Sequence, residues 1–359
     1  MHSAMSRLFE PLTLRSTTFR NRAWVAPMCQ YSSTNGRVGD WHLAHLGSFA
    51  RGGAGLVLTE ASAVTPDGRI SPQDAGIWND DQAGDWQRIA AFVAGQGAVP
   101  GMQLGHAGRK ASTQRPWDGT GHVEPADGGW QSVGPSPVAY GGWPAPKELS
   151  VAEIGEVVQA FAEAAVRADG AGFQVLELHA AHGYLLHEFL SPLTNERADE
   201  YGGDLLGRSR ALREVAAAVR EVWPERKPLF VRLSATDWAD GGWDVAQTVE
   251  VARLLKPVGV DLVDVSSGGN VPQQQITVGP GYQVPFAQAV REGSALPTAA
   301  VGMITDPAQA EQVLADGAAD AVLMAREFIR EPHWPLRAAR ELGEDISYWP
   351  SQYVRAKRR

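Results

Sequence analysis

The sequence predicts an α/β fold, a (β/α)8 TIM barrel, on two observations. Eight short runs recur along the 359 residues, too short for helices and apolar on both faces. That is the pattern of buried parallel strands. Between them lie stretches with helical periodicity and caps, and this alternation builds a parallel sheet wrapped by helices. A doubly wound sheet is the alternative. Five or six strands would suit it better, and no G-x-G-x-x-G follows the first run.

The strands are expected at residues 23–28, 55–60, 99–104, 173–178, 229–233, 260–265, 298–301 and 320–324. A helix over 80–96 opens on Asp80 and Asp81, which favour the positive end of its dipole. The helix over 150–169 starts with the capping box Ser150 and Glu153 and closes at Gly170. Those over 208–223 and 244–256 stop before Pro224 and Pro257. The one over 305–315 has Thr305 as cap and Pro307 in its first turn. The long gap after the third strand, 105–149, is rich in Gly, Pro and Trp. It reads as an insertion covering the barrel mouth, because long loops after barrel strands line active sites. The whole chain, 1–359, reads as one domain, with 347–359 as a C-terminal tail.

Composition narrows the function. The formal charge of −9 argues against a nucleic-acid partner. The basic run Arg355, Lys357, Arg358, Arg359 is too short to change that. A single cysteine, Cys29, excludes an internal disulfide and fits a reducing cytoplasm. No signal peptide and no membrane span is readable.

In such barrels the working residues sit at strand ends and in the loops after them. The fourth strand ends H-A-A-H-G-Y, so His179, His182 and Tyr184 can converge on one polar group. Imidazoles donate hydrogen bonds to an oxygen and a phenol delivers a proton. A metal site and a structural histidine pair are the alternatives. Arg232, inside the fifth strand, needs an anion, a carbonyl-rich ligand or a neighbouring acid such as Glu177, since an unpaired buried charge costs several kcal/mol. Gln103 suits a ring edge with both N–H and C=O. Gly302 and Arg326, after the seventh and eighth strands, occupy the common barrel phosphate site. Cys29 and Tyr31 fall in the loop after the first strand. Trp41–His45 reads as packing and capping.

These residues resemble a known family. P-M-C-Q-Y at 27–31, E-A-S-A-V at 60–64, Q-L-G-H-A-G-R-K at 103–110, H-A-A-H-G-Y-L-L-H-E-F-L-S-P at 179–192, N-E-R-x-D-E-Y-G-G at 195–203 and A-R-E-F-I-R-E-P at 325–332 look like the old yellow enzymes, over nearly the whole chain. The thermophilic-like subclass is nearest, with the xenobiotic reductases beside it. The resemblance implies an FMN-dependent ene-reductase, an NADPH dehydrogenase, working by a ping-pong mechanism. FMN would be bound tightly but not covalently. NADPH or NADH would donate hydride, and α,β-unsaturated carbonyls or related nitro compounds would accept it.

By motif match, Ala26, Pro27, Met28 and Cys29 would lie along the flavin and Ala61 near its carbonyl edge. Gln103 and Arg232 would hold the pyrimidine, and Gly302, Met303, Ala325 and Arg326 the phosphate. His179 and His182 would hold the substrate oxygen and Tyr184 would be the proton donor to Cα, with Tyr31 and Lys110 beside them. Arg355 would reach into the neighbouring subunit of a homodimer or dimer of dimers. Ala26 stands where the family often has Ser or Thr, and Ala325 where it often has Gly. Two alternatives stay open: a metal-dependent hydrolase using His179, His182 and His187, and a catalytically silent flavin-binding barrel.

Overall fold

A computed structural model describes residues 6–357. Arg358 and Arg359, part of the basic run, lie outside the described residues. Eight parallel strands close into a barrel. They are β1 (Ala23–Val25), β2 (Leu56–Ala63), β3 (Val99–Gly105), β4 (Val175–Ala180), β5 (Leu229–Ser234), β6 (Leu262–Ser266), β7 (Thr298–Ala300) and β8 (Ala321–Met324), with β8 pairing β1. Around them run α1 (Asp40–Arg51), α2 (Asp80–Gly95), α3 (Val151–Gly170), α4 (Arg210–Val222), α5 (Val245–Leu255), α6 (Val284–Ser294), α7 (Pro307–Ala315) and α8 (Trp334–Glu341). No described helix is long and apolar enough to cross a membrane.

Several boundaries differ from expectation for local reasons. β1 stops at Val25, two residues before Pro27, which cannot donate to a ladder. The α2 cap is Asn79, which accepts from the backbone N–H of Gln82. α3 begins with the expected Ser150–Glu153 box but runs through Gly170; the left-handed residue is Gly172. The α7 cap is Asp306, not Thr305, because its carboxylate reaches two backbone N–H groups. Helices α6 and α8 were not anticipated.

Successive strand residues face opposite sides, so every second residue lines the interior. This stacks the barrel in layers. Val175, Phe230 and Leu262 join Trp24, Leu56 and Leu58 in an apolar floor. An N-terminal hairpin, Leu12–Leu14 with Thr17–Phe19, closes it by setting Phe19 against Trp24, ring centroids 4.6 Å apart. One layer up, β3, β4, β5 and β6 carry Gln103, Glu177, Arg232 and Asp264. Two residues further on come Gly105, His179, Ser234 and Ser266. Outward residues such as Leu176, Val231 and Val263 pack under the helices.

The 105–149 segment has little regular structure beyond the short ladder Val133–Gly134 with Lys147–Glu148. It ties the loops of the mouth together. Trp130 donates to Asp67 O at 2.8 Å, Thr113 to Ile70 O at 2.9 Å, and Arg109 to Asn270 O at 2.6 Å.

Candidate active site

The turn after β4 places the histidine motif. His182 and Gly183 both take positive φ, 60° and 74°, which folds the chain back over the barrel before the short helix Leu185–Leu190. The His182 backbone N–H donates to Ser234 Oγ at 2.9 Å, and its ring Nε2 sits 2.7 Å from Ser266 Oγ. His179 Nε2 lies 3.4 Å from His182 Nδ1, while His179 Nδ1 is buried without a partner. The Tyr184 ring stands edge-on to His179, centroids 5.0 Å apart. The three residues therefore converge.

Electrostatics fit them for neutral-form chemistry. Burial, then the Arg232 charge, pushes both imidazoles well below the usual histidine range. They are neutral at pH 7, each with one N–H to give. Burial likewise pushes the Tyr184 phenol well above its ordinary value, so it keeps its proton. Lys110 reaches the same turn. Its ammonium donates to His182 O and Gly269 O, both at 2.8 Å, which leaves one of its three donors free. Burial lowers its pKa to about 8.

The loop after β1 forms the opposite wall. Gln30 N–H donates to Glu60 Oε2 at 3.1 Å; Glu60 Oε1 in turn lies 3.1 Å from His42 Nε2. His42 also caps α1 by accepting from Gly39 N–H, so the first histidine of 41–45 does cap. Tyr31, at φ 51°, and Cys29 pack in one small cluster with Tyr184. Burial raises the Cys29 thiol well above its ordinary value, with Asp74 and Glu60 adding to the shift.

Arg232 does not pair with Glu177. Its Nε lies 2.9 Å from Asp264 on the neighbouring strand, off the line of a hydrogen bond. Glu177 instead accepts from Gln103 Nε2 at 2.8 Å. Near the ends of β7 and β8, Gly302 (φ 124°) and Met303 (φ 51°) turn the chain in positive-φ backbone. Exposed Arg326 has no acidic partner among the described residues, and its charge is felt by Tyr282. His187 is used elsewhere: its Nδ1 accepts from Gly183 N–H, and its Nε2 sits 2.9 Å from Asp237. The metal alternative thereby loses its third ligand, and no group of three ligating side chains assembles among the described residues.

The sequence reading named Glu177 only as a possible partner of Arg232, and missed Asp264, Ser234, Ser266 and Tyr282. Glu177 and Ser234 sit two residues from the selected His179 and Arg232 and so share their inward face; Asp264 and Ser266 are two residues apart on β6, where nothing was selected.

A closed barrel whose mouth gathers neutral imidazoles, a protonated phenol and a buried guanidinium has the makings of an enzyme of the (β/α)8 class. Residues 7–345 match the model of the NADH:flavin oxidoreductase / NADH oxidase family. The chain is 47% identical over 354 residues to the NADPH dehydrogenase of Geobacillus thermodenitrificans, covering 98% of each. It is 45% identical over 352 residues to that of Bacillus subtilis, covering 97% of this chain and 98% of the relative. Among solved structures it resembles morphinone reductase in complex with tetrahydroNAD, with TM-score 0.78, 29% identity and coverage of 95% and 92%. It also resembles the old yellow enzyme homologue of Zymomonas mobilis, with TM-score 0.77, 26% identity and coverage of 98% of each. The chain belongs to the old yellow enzyme family of FMN-dependent oxidoreductases.

The residues present fit FMN. Gln103 spends its amide N–H on Glu177 and keeps its carbonyl for a ring N–H. The Arg232 guanidinium makes no hydrogen bond among the described residues, and Arg326 has no acid. These are donors and acceptors for a pyrimidine-dione edge and a phosphate.

Proposed function

We propose that this enzyme is an ene-reductase, which reduces the activated C=C bond of α,β-unsaturated carbonyls and related nitro compounds with NADPH or NADH. The observation that carries the reading is the convergence of His179, His182 and Tyr184 in neutral form above the Gln103–Arg232 layer. Gln103 and Arg232 hold the pyrimidine edge of FMN, with Ala26, Pro27, Met28, Cys29 and Ala61 along the ring. Gly302, Met303, Ala325 and Arg326 hold its phosphate. FMN supplies the two-electron chemistry, accepting from the nicotinamide and giving to the acceptor in turn.

The chain's own residues do the rest. His179 and His182 donate to the acceptor's oxygen as negative charge develops there. Such preorganised donors are worth the most in a site closed to water. Tyr184 delivers the proton at Cα. Tyr31 and the remaining donor of Lys110 orient the substrate, and Cys29 tunes the ring without attacking it. Nicotinamide and acceptor share one site, so initial-rate plots should be parallel.

The tail supports a homodimer or dimer of dimers. Tyr353 accepts from Arg51 at the C-terminal end of α1, the end of a barrel helix remote from the mouth. Arg355 is exposed there, away from its own site and free to complete a partner's. A groove of about 1050 Å³, lined by Leu336, Trp349 and Val354 among others, lies beside it.

The test is Tyr184→Phe in stopped flow. Reduction of the bound flavin by NADPH should keep its rate. Reoxidation by an enone should slow roughly 10²–10⁴-fold, the range for a lost general acid. Equal slowing of both halves refutes the role of Tyr184, and no reaction with any enone refutes the activity.

A further inference from the structure

Beneath the site lies a charged layer in which two members, Glu177 and Asp264, have no part in the chemistry above. Gln103, Glu177, Arg232 and Asp264 come from four consecutive strands, and all four are at least nine-tenths buried. Strand register sets Gln103 beside Glu177 and Asp264 beside Arg232. The donors in this layer are too few for two carboxylates. Glu177 Oε1 receives Gln103 Nε2, but Glu177 Oε2 and both oxygens of Asp264 have no hydrogen-bond partner. Fully ionised, the layer would carry one excess negative charge and three unsatisfied acceptors. Such groups are expensive to bury. Glu177 and Asp264 lie in one buried layer on the strands flanking β5, so one proton held by the pair would bring the layer to zero net charge.

We propose that Glu177 and Asp264 share one proton beneath the flavin's pyrimidine edge, and that this proton acts through Gln103 and Arg232 to set the flavin's reduction potential. The proposal rests on the reading that Gln103 and Arg232 face that edge. Glu177 orients the Gln103 amide so that its carbonyl is left for the ring. Asp264 offsets the Arg232 charge only in part while the proton is present, leaving positive field for a reduced ring. When the proton leaves, the second carboxylate cancels that field and the ring becomes harder to reduce. Glu177 and Asp264 are positioning residues here; neither touches the substrate. Burial raises both carboxyls above the usual carboxylate range, with Asp264 raising Glu177 further and Arg232 opposing the rise in each.

Other groups face the same space. From β4, His179 is held neutral by burial. From the loop after β3, Lys110 titrates near 8, and from the loop after β2, Asp74 titrates near 7, both displaced by burial. Cys29 and Tyr184 are pushed above the working range. A pH profile of the wild type alone would mix these groups. A difference profile against Glu177→Gln cancels all but the pair, because Gln is the neutral stand-in for the protonated acid.

The experiment measures the FMN midpoint potential of the holoenzyme by dye equilibration from pH 6.5 to 9. At the acid end Glu177→Gln should match the wild type. Towards pH 9 the wild type should fall below the variant by at least a tenfold change in the oxidised-to-reduced ratio, about 30 mV for a two-electron couple. Asp264→Asn, which lets Glu177 ionise against Arg232, should also lack the wild-type step, so either variant suffices if the other fails to fold. Parallel profiles for the wild type and a folded, FMN-loaded variant would overturn the proposal. If Arg232→Ala and Gln103→Leu both keep FMN at unchanged affinity and potential, the reading beneath it fails instead.

Discussion

Gly183→Ala tests whether the histidine turn depends on two backbones lying in contact. Gly183 holds φ 74°, and a Cβ there would stand 2.3 Å from Gly269 O and 2.7 Å from Asn270 Cα. The approach is mutual, since a Cβ on Gly269 would stand 2.6 Å from His182 Cα. Both neighbours are backbone, so no side chain can rotate away. Left-handed backbone costs a non-glycine residue about 1–2 kcal/mol. Parting the loops also pulls His182 O from Gly269 O, which Lys110 Nζ bridges at 2.8 Å each. A hydrogen bond to a charged group is worth about 1.5–3 kcal/mol. Together these predict a loss of roughly 2.5–5 kcal/mol.

Gly203→Ala is the control. Gly203 has the same conformation, φ 75°, but open space where the Cβ would go, so it should lose only about 1–2 kcal/mol. The assays are urea unfolding of the holoenzyme and titration with a simple phenol, followed by the flavin absorbance change. Displacing His182 should weaken the phenol at least tenfold, about 1.4 kcal/mol, in Gly183→Ala and not in Gly203→Ala. If the two variants lose equal stability and bind the phenol alike, loop contact is not what holds the histidines.

Three further outcomes follow from the same geometry. Cys29, with its pKa raised mainly by burial, should resist iodoacetamide at pH 7.5 by mass spectrometry, and Cys29→Ala should still turn over with a shifted flavin potential; loss of all turnover with FMN bound would mean covalent chemistry. Asp237 keeps a pKa below the carboxylate norm despite burial, held down chiefly by His187, then Ser191 and the Trp243 N–H; its stabilisation is present above about pH 4 and fades below it, so Asp237→Asn should lower urea stability at pH 7 by about 1–3 kcal/mol and by less at pH 3.5. Arg355→Ala should raise KM for enones more than it lowers kcat, and truncation after Pro350 should shift the protein towards monomer in sedimentation, if the proposed dimer forms, while FMN stays bound.

Which parts of the site could be read from sequence follows from how a barrel is wired. Contacts along one strand obey a period of two, so His179 implies that Glu177 also faces inward. The H-A-A-H-G-Y turn is local, and its three side chains meet as the spacing suggests. Contacts between strands depend on register, which the closure of the barrel sets and no local pattern reports. Arg232 shows the difference. Its choice lay between an acid on β4 and one on β6, and the register puts Asp264 opposite it while Glu177 faces Phe230. The same wiring explains why a charged layer can hide inside runs that read as uniformly apolar. Glu177, Arg232 and Asp264 each look like an isolated polar residue in a buried strand. Only when β4, β5 and β6 lie side by side do they become one layer whose charges offset each other, and only that layer makes it affordable to keep an arginine buried beneath the mouth. The histidines are held neutral by burial and by that arginine's charge, so the acid–base character of the visible motif is set partly by residues the motif does not contain.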